Sequence, residues 1–329
     1  MASRRLQWMD FIRGICVLLV IFGHAAYVTG DVASHTFFEG FAIFNLFMDP
    51  FRIPLLMFLS GMLLHKSLGK PTPDYLSGKF YLIFWPFLVW SIAIYAAENR
   101  LTLENILKTP ISAPSVLWYL WFLCAFYMIA LVLIRKSVPL IPVVLVCVVL
   151  SGVLPGVLRI DRFASLFAFF LGGHIVLSRN LVGRVTAPIA IVGLCAAILG
   201  GMISVFGHPI KYDPLYIWVP AGLIAFVLWA SMFFKTTAAS APFEWVGRNS
   251  IVFYAAHFPA LVISARWIPW NPEWSGTLFY ILLFLWVLAL GTALQLLRER
   301  FPAVEALFDF RPILRVAKAW RASSRNTGV

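Results

Sequence analysis

The chain has 329 residues, of which 61% are hydrophobic and only 12% are charged, and its formal net charge is +12. Ordinary soluble domains contain about 25% charged residues, so a chain this apolar has too few polar groups to cover a surface in water. Composition therefore excludes a soluble globular protein and predicts a protein that crosses a membrane several times.

Apolar segments follow one another along the chain, most of them near the ~20 residues that a helix needs to cross a bilayer. They cover residues 11–29, 43–64, 79–97, 115–134, 138–154, 163–178, 185–206, 214–234, 250–268 and 277–297. No glycine-, serine- or charge-rich stretch divides them. We therefore predict one all-α domain over residues 1–297, a polytopic membrane bundle of about ten transmembrane helices.

The basic residues predict how this bundle is oriented. With the N-terminus in the cytoplasm, the inner segments and the C-terminal tail hold about three times as many Lys and Arg residues as the outer loops. This excess favours an N-in/C-in topology. The tail, residues 298–329, mixes Leu, Phe and Trp with Arg and Lys. It is typical of a basic amphipathic segment lying on the anionic cytoplasmic leaflet, and it explains most of the net charge.

Three polar residues interrupt the first apolar segment: Asp10, Arg13 and His24. On a helix that turns about 100° per residue, these positions fall on one stripe, with Arg13 and His24 about 16 Å apart along the axis. A charged side chain in lipid costs at least about 2.5–3.5 kcal/mol, so the stripe is expected to face protein or a water-filled cavity.

This spacing suggests a site for two substrates. Histidine is the usual side chain for taking a proton from a hydroxyl, and a guanidinium near the cytoplasmic end suits a phosphorylated donor. The pantetheine arm of an acyl-CoA is long and thin enough to connect the two. A structural alternative stays open, in which Asp10 and Arg13 form an ion pair and His24 bridges two helices.

Several motifs resemble, in order, those of the membrane acyltransferase-3 family, whose members move acyl groups from acyl-CoA to hydroxyls. The stretches are Asp10-Phe11-Ile12-Arg13-Gly14 with His24, Phe51 to Gly61, Lys79 to Trp90, Leu117 to Leu123, Phe169 to Gly172, and Gly247 to His257. Together they span about residues 8–260. The resemblance implies a multi-pass protein of the bacterial cytoplasmic membrane, an acetyl-CoA or other acyl-CoA donor, and a carbohydrate or glycolipid acceptor.

By that resemblance, Arg13 and His24 are the catalytic pair, with Arg13 serving the acyl-CoA and His24 the proton transfer. Lys79 and Arg52 join Arg13 as residues predicted to bind the donor. Relatives often carry a further basic residue where Tyr81, Leu82 and Ile83 stand here. Lys79 is therefore the only cation at that motif.

Candidate substrate-binding residues are Asp10, Trp118, Trp121 and His257. Each has a structural alternative: His257 can bridge helices, and Trp118 and Trp121 can belong to an interfacial aromatic belt. Arg52 lies three residues after Asp49, so these two can pair with each other instead of binding a ligand.

The four cysteines fall in apolar segments without metal-like spacing, and we predict buried structural thiols and no metal. The sequence thus favours a membrane O-acyltransferase, most plausibly an O-acetyltransferase, with no nucleic-acid partner. Two alternatives remain: a transporter or flippase of a lipid-linked or acyl cargo, and an acyl relay to a separate extracytoplasmic enzyme. The absence of an internal repeat argues against the transporter.

Overall fold

The computed structural model describes residues 7–33, 39–111, 113–114, 116–153, 159–207, 210–267 and 276–326, and for residues 30–33 and 319–326 it describes the backbone alone. Helices make up the fold, and no strand occurs in these ranges. In chain order they are α1 Gln7–Ala33, α2 Glu39–Leu68, α3 Thr72–Lys79, α4 Trp85–Ala97, α5 Leu103–Lys108, α6 Trp118–Arg135, α7 Leu140–Val153, α8 Ile160–Ser178, α9 Ala187–Val205, α10 Trp218–Ser231, α11 Ala241–Arg248, α12 Ser250–Trp267, α13 Gly276–Arg300, α14 Pro302–Glu305 and α15 Arg311–Asn326. A π-helical turn at Phe80–Phe84 joins α3 to α4.

The all-α membrane bundle is confirmed. Within the described ranges, eight helical segments are long and apolar enough to cross a membrane. Each of the ten apolar segments of the sequence contains one helix, but α7 has only 14 residues and α12 falls outside the eight. The count of about ten and the N-in/C-in orientation therefore stay predictions.

Glycine contacts bring α1 close to α11. A Cβ on Gly14 would lie 2.0 Å from the Phe243 carbonyl oxygen, and a Cβ on Gly247 would lie 1.7 Å from that of Asp10. Any larger side chain here would push the two backbones apart. This crossing places the Arg13 end of α1 inside the bundle.

Proline shapes α2 near its middle. Pro50 has no N–H and leaves the Leu46 carbonyl without its helical partner. The Ser204 hydroxyl donates to this carbonyl at 2.9 Å and so joins α2 to α9. The same stretch of α2 carries Asp49 and Arg52.

The first residues of the predicted tail pack into the bundle. Phe308 is fully buried and its ring lies 5.2 Å from that of Trp90, while the Trp85 indole donates to the Ala306 carbonyl at 2.7 Å. The expected surface segment thus begins at α15. A domain boundary at residue 298 and contact of the tail with lipid stay predictions.

One prediction about the cysteines is wrong. Cys16 and Cys147 are buried and Cys124 is half-buried, but Cys195 on α9 is exposed at the surface of the bundle. An outward-facing side chain of a membrane helix can be as apolar as a core one, so hydropathy alone did not separate the two.

Candidate active site

Two small cavities lie along the inner face of α1. The first, which we call the Arg13 cavity, has a volume of about 240 Å³. The second, the His24 cavity, has a volume of about 230 Å³. Tyr254 of α12 lines both, so Arg13 and His24 face two cavities with a common wall residue and not the single cavity that the sequence suggested.

Arg13 is a nearly buried cation whose partners do not use all of its donors. Its Nη1 lies 3.8 Å from Oδ1 of Asp10, beyond hydrogen-bond distance, and its side chain is 14% exposed. In the described part of the chain, its Nη2 has no hydrogen-bond partner. Leaving a buried donor of a charged group unpaired costs more than about 1–3 kcal/mol, so the guanidinium is suited to an anionic or carbonyl ligand.

The rest of the Arg13 cavity is mainly apolar. Its hydroxyl groups come from Ser60, Tyr119, Tyr127, Ser250 and Tyr254, and its remaining walls are aliphatic. Part of this hydroxyl set is already paired, because Tyr127 donates to the Ser60 carbonyl at 3.0 Å and the Ser60 and Tyr119 hydroxyls lie 3.2 Å apart. The cavity thus offers a small, mainly apolar space beside one cation.

Lys79 lies behind this cavity and does not line it. Its ammonium is 3.4 Å from the centre of the Tyr127 ring and 5.2 Å from that of Tyr75, in cation–π geometry. The Lys79 ammonium therefore contacts two aromatic rings, and a role of Lys79 in binding the donor stays a prediction.

His24 and His257 form a stacked pair that joins α1 to α12. Nδ1 of His24 lies 2.8 Å from Nε2 of His257, and the two ring planes are 15° apart. His257 is 2% exposed, and its Nδ1 lies 2.6 Å from the Tyr254 carbonyl oxygen. The sequence left two roles open for His257: bridging two helices, or lining the site. In the structure His257 bridges α1 and α12 and does so through the site residue His24.

The contacts of His257 determine which nitrogen of His24 can act as a base. A carbonyl oxygen only accepts hydrogen bonds, so the Tyr254 carbonyl requires a proton on Nδ1 of His257. Nε2 of the neutral His257 ring is then an acceptor, and Nδ1 of His24 must donate to it. This leaves Nε2 of His24 with the free lone pair that a general base needs.

Beside His24, a single carboxylate pairs with two cations. Asp49 lies 2.5 Å from Nη2 of Arg52, as the spacing predicts, and 2.7 Å from Nζ of Lys211. Arg52 also donates to the Leu19 carbonyl at 2.9 Å and to Asn45 at 2.8 Å. A Cβ on Gly23 would lie 2.4 Å from the Arg52 guanidinium, so Gly23 makes the room that Arg52 occupies.

A third cation completes the His24 cavity. The Arg162 guanidinium lies 4.7 Å from the centre of the Trp118 ring and 5.0 Å from that of Tyr212. Lys211 lies between α9 and α10, where burial lowers its pKa and the Asp49 carboxylate counteracts this shift. Three cations and one carboxylate therefore line a cavity that also contains His24.

The structure brings some predicted site residues together and leaves others apart. His24, Arg52, Trp118 and the His257 partner meet at the His24 cavity. Asp10 is buried beside α11 and lines neither cavity. Trp121 also lines neither, and its indole donates to the Pro110 carbonyl at 3.0 Å. Roles for Asp10 and Trp121 in substrate binding stay predictions.

Sequence reasoning missed Lys211 and Arg162, which it counted only as outer-loop charges. No local spacing relates Lys211 to Asp49, 162 residues away in the chain. For Tyr254, the residue that lines both cavities, the sequence did contain a signal. Tyr254 lies in the motif from Gly247 to His257.

A larger cavity, of about 770 Å³, lies between α4, α12 and α13. Its lining is apolar apart from Asn99, His257 and Arg266, and it contains neither Arg13 nor His24. We therefore assign the candidate site to the two smaller cavities. In the described ranges, no three or more His, Cys, Asp or Glu side chains form a group that could hold a metal.

These features define a multi-pass helical membrane protein whose candidate site consists of two buried cavities with polar groups. The family described as "Acyltransferase domain" matches residues 6–296, nearly the whole chain, and the protein belongs to that family. It is therefore a membrane protein of an acyltransferase family.

One curated relative is the inner membrane protein YcfT of Escherichia coli (strain K12). It is 25% identical over 165 residues, and the match covers 40% of this chain and 45% of that protein. The chain thus spans less than half the length of this relative. The similarity and the membrane-spanning helices support a multi-pass location in the inner membrane. No solved structure matches the chain.

Proposed function

We propose that the protein is an O-acyltransferase that moves an acyl group, and specifically acetyl, from acyl-CoA to a hydroxyl of a carbohydrate or glycoconjugate. The observation that carries the proposal is the placement of two complementary groups on one helix. Arg13 has an unpaired buried guanidinium nitrogen, and His24 has a free imidazole nitrogen in the adjacent cavity. Family membership supports acyl transfer as the reaction class.

The Arg13 cavity fits part of the donor. Pockets for drug-sized ligands measure about 300–1,000 Å³, and this cavity, at about 240 Å³, is smaller. A whole acyl-CoA is larger than such ligands and cannot be enclosed here. The thin pantetheine arm with its thioester suits this small, mainly apolar cavity, while the nucleotide part stays outside it.

The proposed reaction is direct transfer with His24 as the general base. Nε2 of His24 takes the proton of the acceptor hydroxyl as the oxygen attacks the thioester carbonyl carbon. The carbon–sulfur bond then breaks, and the proton passes from His24 to the departing thiolate. The products are an ester and CoA with a free thiol. His257 does not touch the reacting atoms in this scheme; it holds the His24 tautomer.

Tyr254 separates the two substrates in this scheme. Its hydroxyl donates to the Val116 carbonyl at 2.6 Å, and the residue lines both cavities. The thioester must pass this ring to reach His24. We infer that the ring moves when both substrates are bound, which would protect the thioester from water until the acceptor is present.

The experiment is a comparison of envelope glycans from cells that express the wild-type protein, the His24→Ala variant or neither. Mass spectrometry should find a glycan hydroxyl that gains an acyl mass only with the wild-type protein. Purified protein in lipid nanodiscs should release free CoA thiol from acetyl-CoA when that glycan is added. A transporter would move cargo without producing CoA thiol, so absence of thiol release together with unchanged glycans would refute the proposal.

A further inference from the structure

The lining of the His24 cavity contains more positively charged than negatively charged side chains. Asp49 is the single carboxylate of the lining; it pairs with Arg52 and Lys211, and Arg162 lines the same cavity. Asp161 and Asp213 line an adjoining cavity of about 570 Å³ and not this one. The His24 cavity therefore has a net positive charge.

Protein partners already take three of the five N–H donors of Arg52, so the two other cations are better placed to bind a ligand. Arg52 bonds to Asp49, Asn45 and the Leu19 carbonyl, and it connects α1 to α2. Lys211 has one hydrogen-bond partner, Asp49, and an ammonium group can donate three times.

Arg162 is the second cation with free donors. Within the described ranges it has no carboxylate at ion-pair distance, and its contacts are the faces of Trp118 and Tyr212. Cation–π contacts leave the N–H donors of a guanidinium available, and these donors can bind a carboxylate or phosphate through two hydrogen bonds.

We propose that the acceptor carries an anionic group, a carboxylate or a phosphate, and that Lys211 and Arg162 bind it in the His24 cavity. The anion would hold the acceptor so that its hydroxyl meets Nε2 of His24. The proposal rests on the proposed function, since it names the class of that reaction's acceptor. A uronic acid and a sugar phosphate share the required chemistry.

The test is a binding experiment that needs no acyl donor. Wild-type protein in lipid nanodiscs is titrated with methyl glucoside, methyl glucuronide and methyl glucoside 6-phosphate, and binding is followed by saturation-transfer NMR. Hydrogen bonds to charged groups contribute enough that at least one anionic sugar should bind about tenfold tighter or more than the neutral one. The sugar that is preferred distinguishes a carboxylate from a phosphate.

The matched variants are Lys211→Gln, Arg162→Gln and Lys211→Arg, with Arg159→Gln as control. The first two should reduce the preference for the anionic sugar about tenfold, Lys211→Arg should retain most of it, and Arg159, which lies outside the cavity lining, should have no effect. Equal binding of all three sugars would overturn the proposal, and so would the absence of binding by any of them. A preference for the anionic sugar that both glutamine variants retain would also overturn it. If the anion preference is found but no acyl transfer occurs, the proposed function alone fails.

Discussion

The Arg13 and His24 cavities are nearly equal in volume and lie on the same helix, but their chemistry differs. The Arg13 cavity has mainly aliphatic and tyrosine walls and one cation. The His24 cavity combines three cations, one carboxylate and an imidazole. Volume therefore does not distinguish them. Their polar groups do, and they suit a thin neutral arm at one end of α1 and a polar acceptor at the other.

The comparison also shows two ways in which a membrane protein stabilises a buried charge. Arg52 is satisfied by a carboxylate, an amide and a backbone carbonyl, so removing it would disturb the fold. Arg13 lies beside a carboxylate at 3.8 Å and keeps one nitrogen unpaired. We therefore expect Arg52 to have mainly a structural role and Arg13 a role in binding.

The largest effect is expected for His24→Ala. General-base catalysis contributes about 10²–10⁴-fold in rate, so transfer of the acyl group should fall at least about a hundredfold. The measurement is CoA thiol release with the acceptor glycan present. His65→Ala is the matched control, because His65 is a histidine at the end of α2 that lines neither cavity.

His24 also bridges two helices, so the variant's thermal stability and membrane content must be measured beside its rate. A variant that is folded but inactive would support the role of His24 as the general base. Near-wild-type transfer would end the role of His24, whatever the stability of the variant.

Arg13→Ala should affect the Arg13 cavity and should change the KM for acyl-CoA. Hydrogen bonds to charged groups contribute about 1.5–3 kcal/mol, so the KM for acyl-CoA should rise about tenfold to a hundredfold. The KM for the acceptor should stay the same. The control is Arg135→Ala, an exposed arginine at the end of α6. An unchanged KM for acyl-CoA would contradict the assignment of this cavity to the donor.

His257→Phe should lower kcat about two- to tenfold, because one neutral hydrogen bond contributes about 0.5–1.5 kcal/mol. The aromatic ring keeps the packing but cannot accept from Nδ1 of His24. His257→Gln should recover most of the rate, since its amide oxygen can accept that bond. Both KM values should stay constant. A glutamine variant as slow as the phenylalanine variant would show that packing, not the tautomer, explains the loss.

Helical periodicity predicted much of the site. The stripe formed by Asp10, Arg13 and His24 depends only on the continuity of α1, which the structure has from Gln7 to Ala33. The pair Asp49–Arg52 likewise follows from a spacing of three residues on α2. Both relations are local, and helix geometry alone determines them.

The remaining features depend on contacts between distant segments. Lys211 reaches Asp49 from a loop, and the division of the site into two cavities depends on Tyr254 and its bond to Val116. In a membrane protein, hydropathy gives little help with such contacts, because helix faces that contact lipid are as apolar as those that contact protein. Lys211, in a loop, and Arg162, in the first turn of α8, therefore could not be assigned to the site from sequence.

The smallest effect is expected at the wall between the cavities. Tyr254→Phe removes the bond to the Val116 carbonyl and keeps the ring. If that bond holds the ring in place, its loss should increase the population of open states by about two- to tenfold, which corresponds to about 0.5–1.5 kcal/mol. Release of CoA thiol without any acceptor should rise by the same factor, because water then reaches the thioester more often.

Tyr119→Phe is the matched control for this variant. Tyr119 is also a buried tyrosine, its ring lies 5.1 Å from that of Tyr254, and its hydroxyl contacts Ser60. It lines the Arg13 cavity and not the His24 cavity, so its loss should not connect the two. A rise in thiol release in Tyr254→Phe alone would show that one tyrosine separates donor from acceptor. An equal rise in both variants would instead mean that general loosening of the bundle, and not this wall, exposes the thioester.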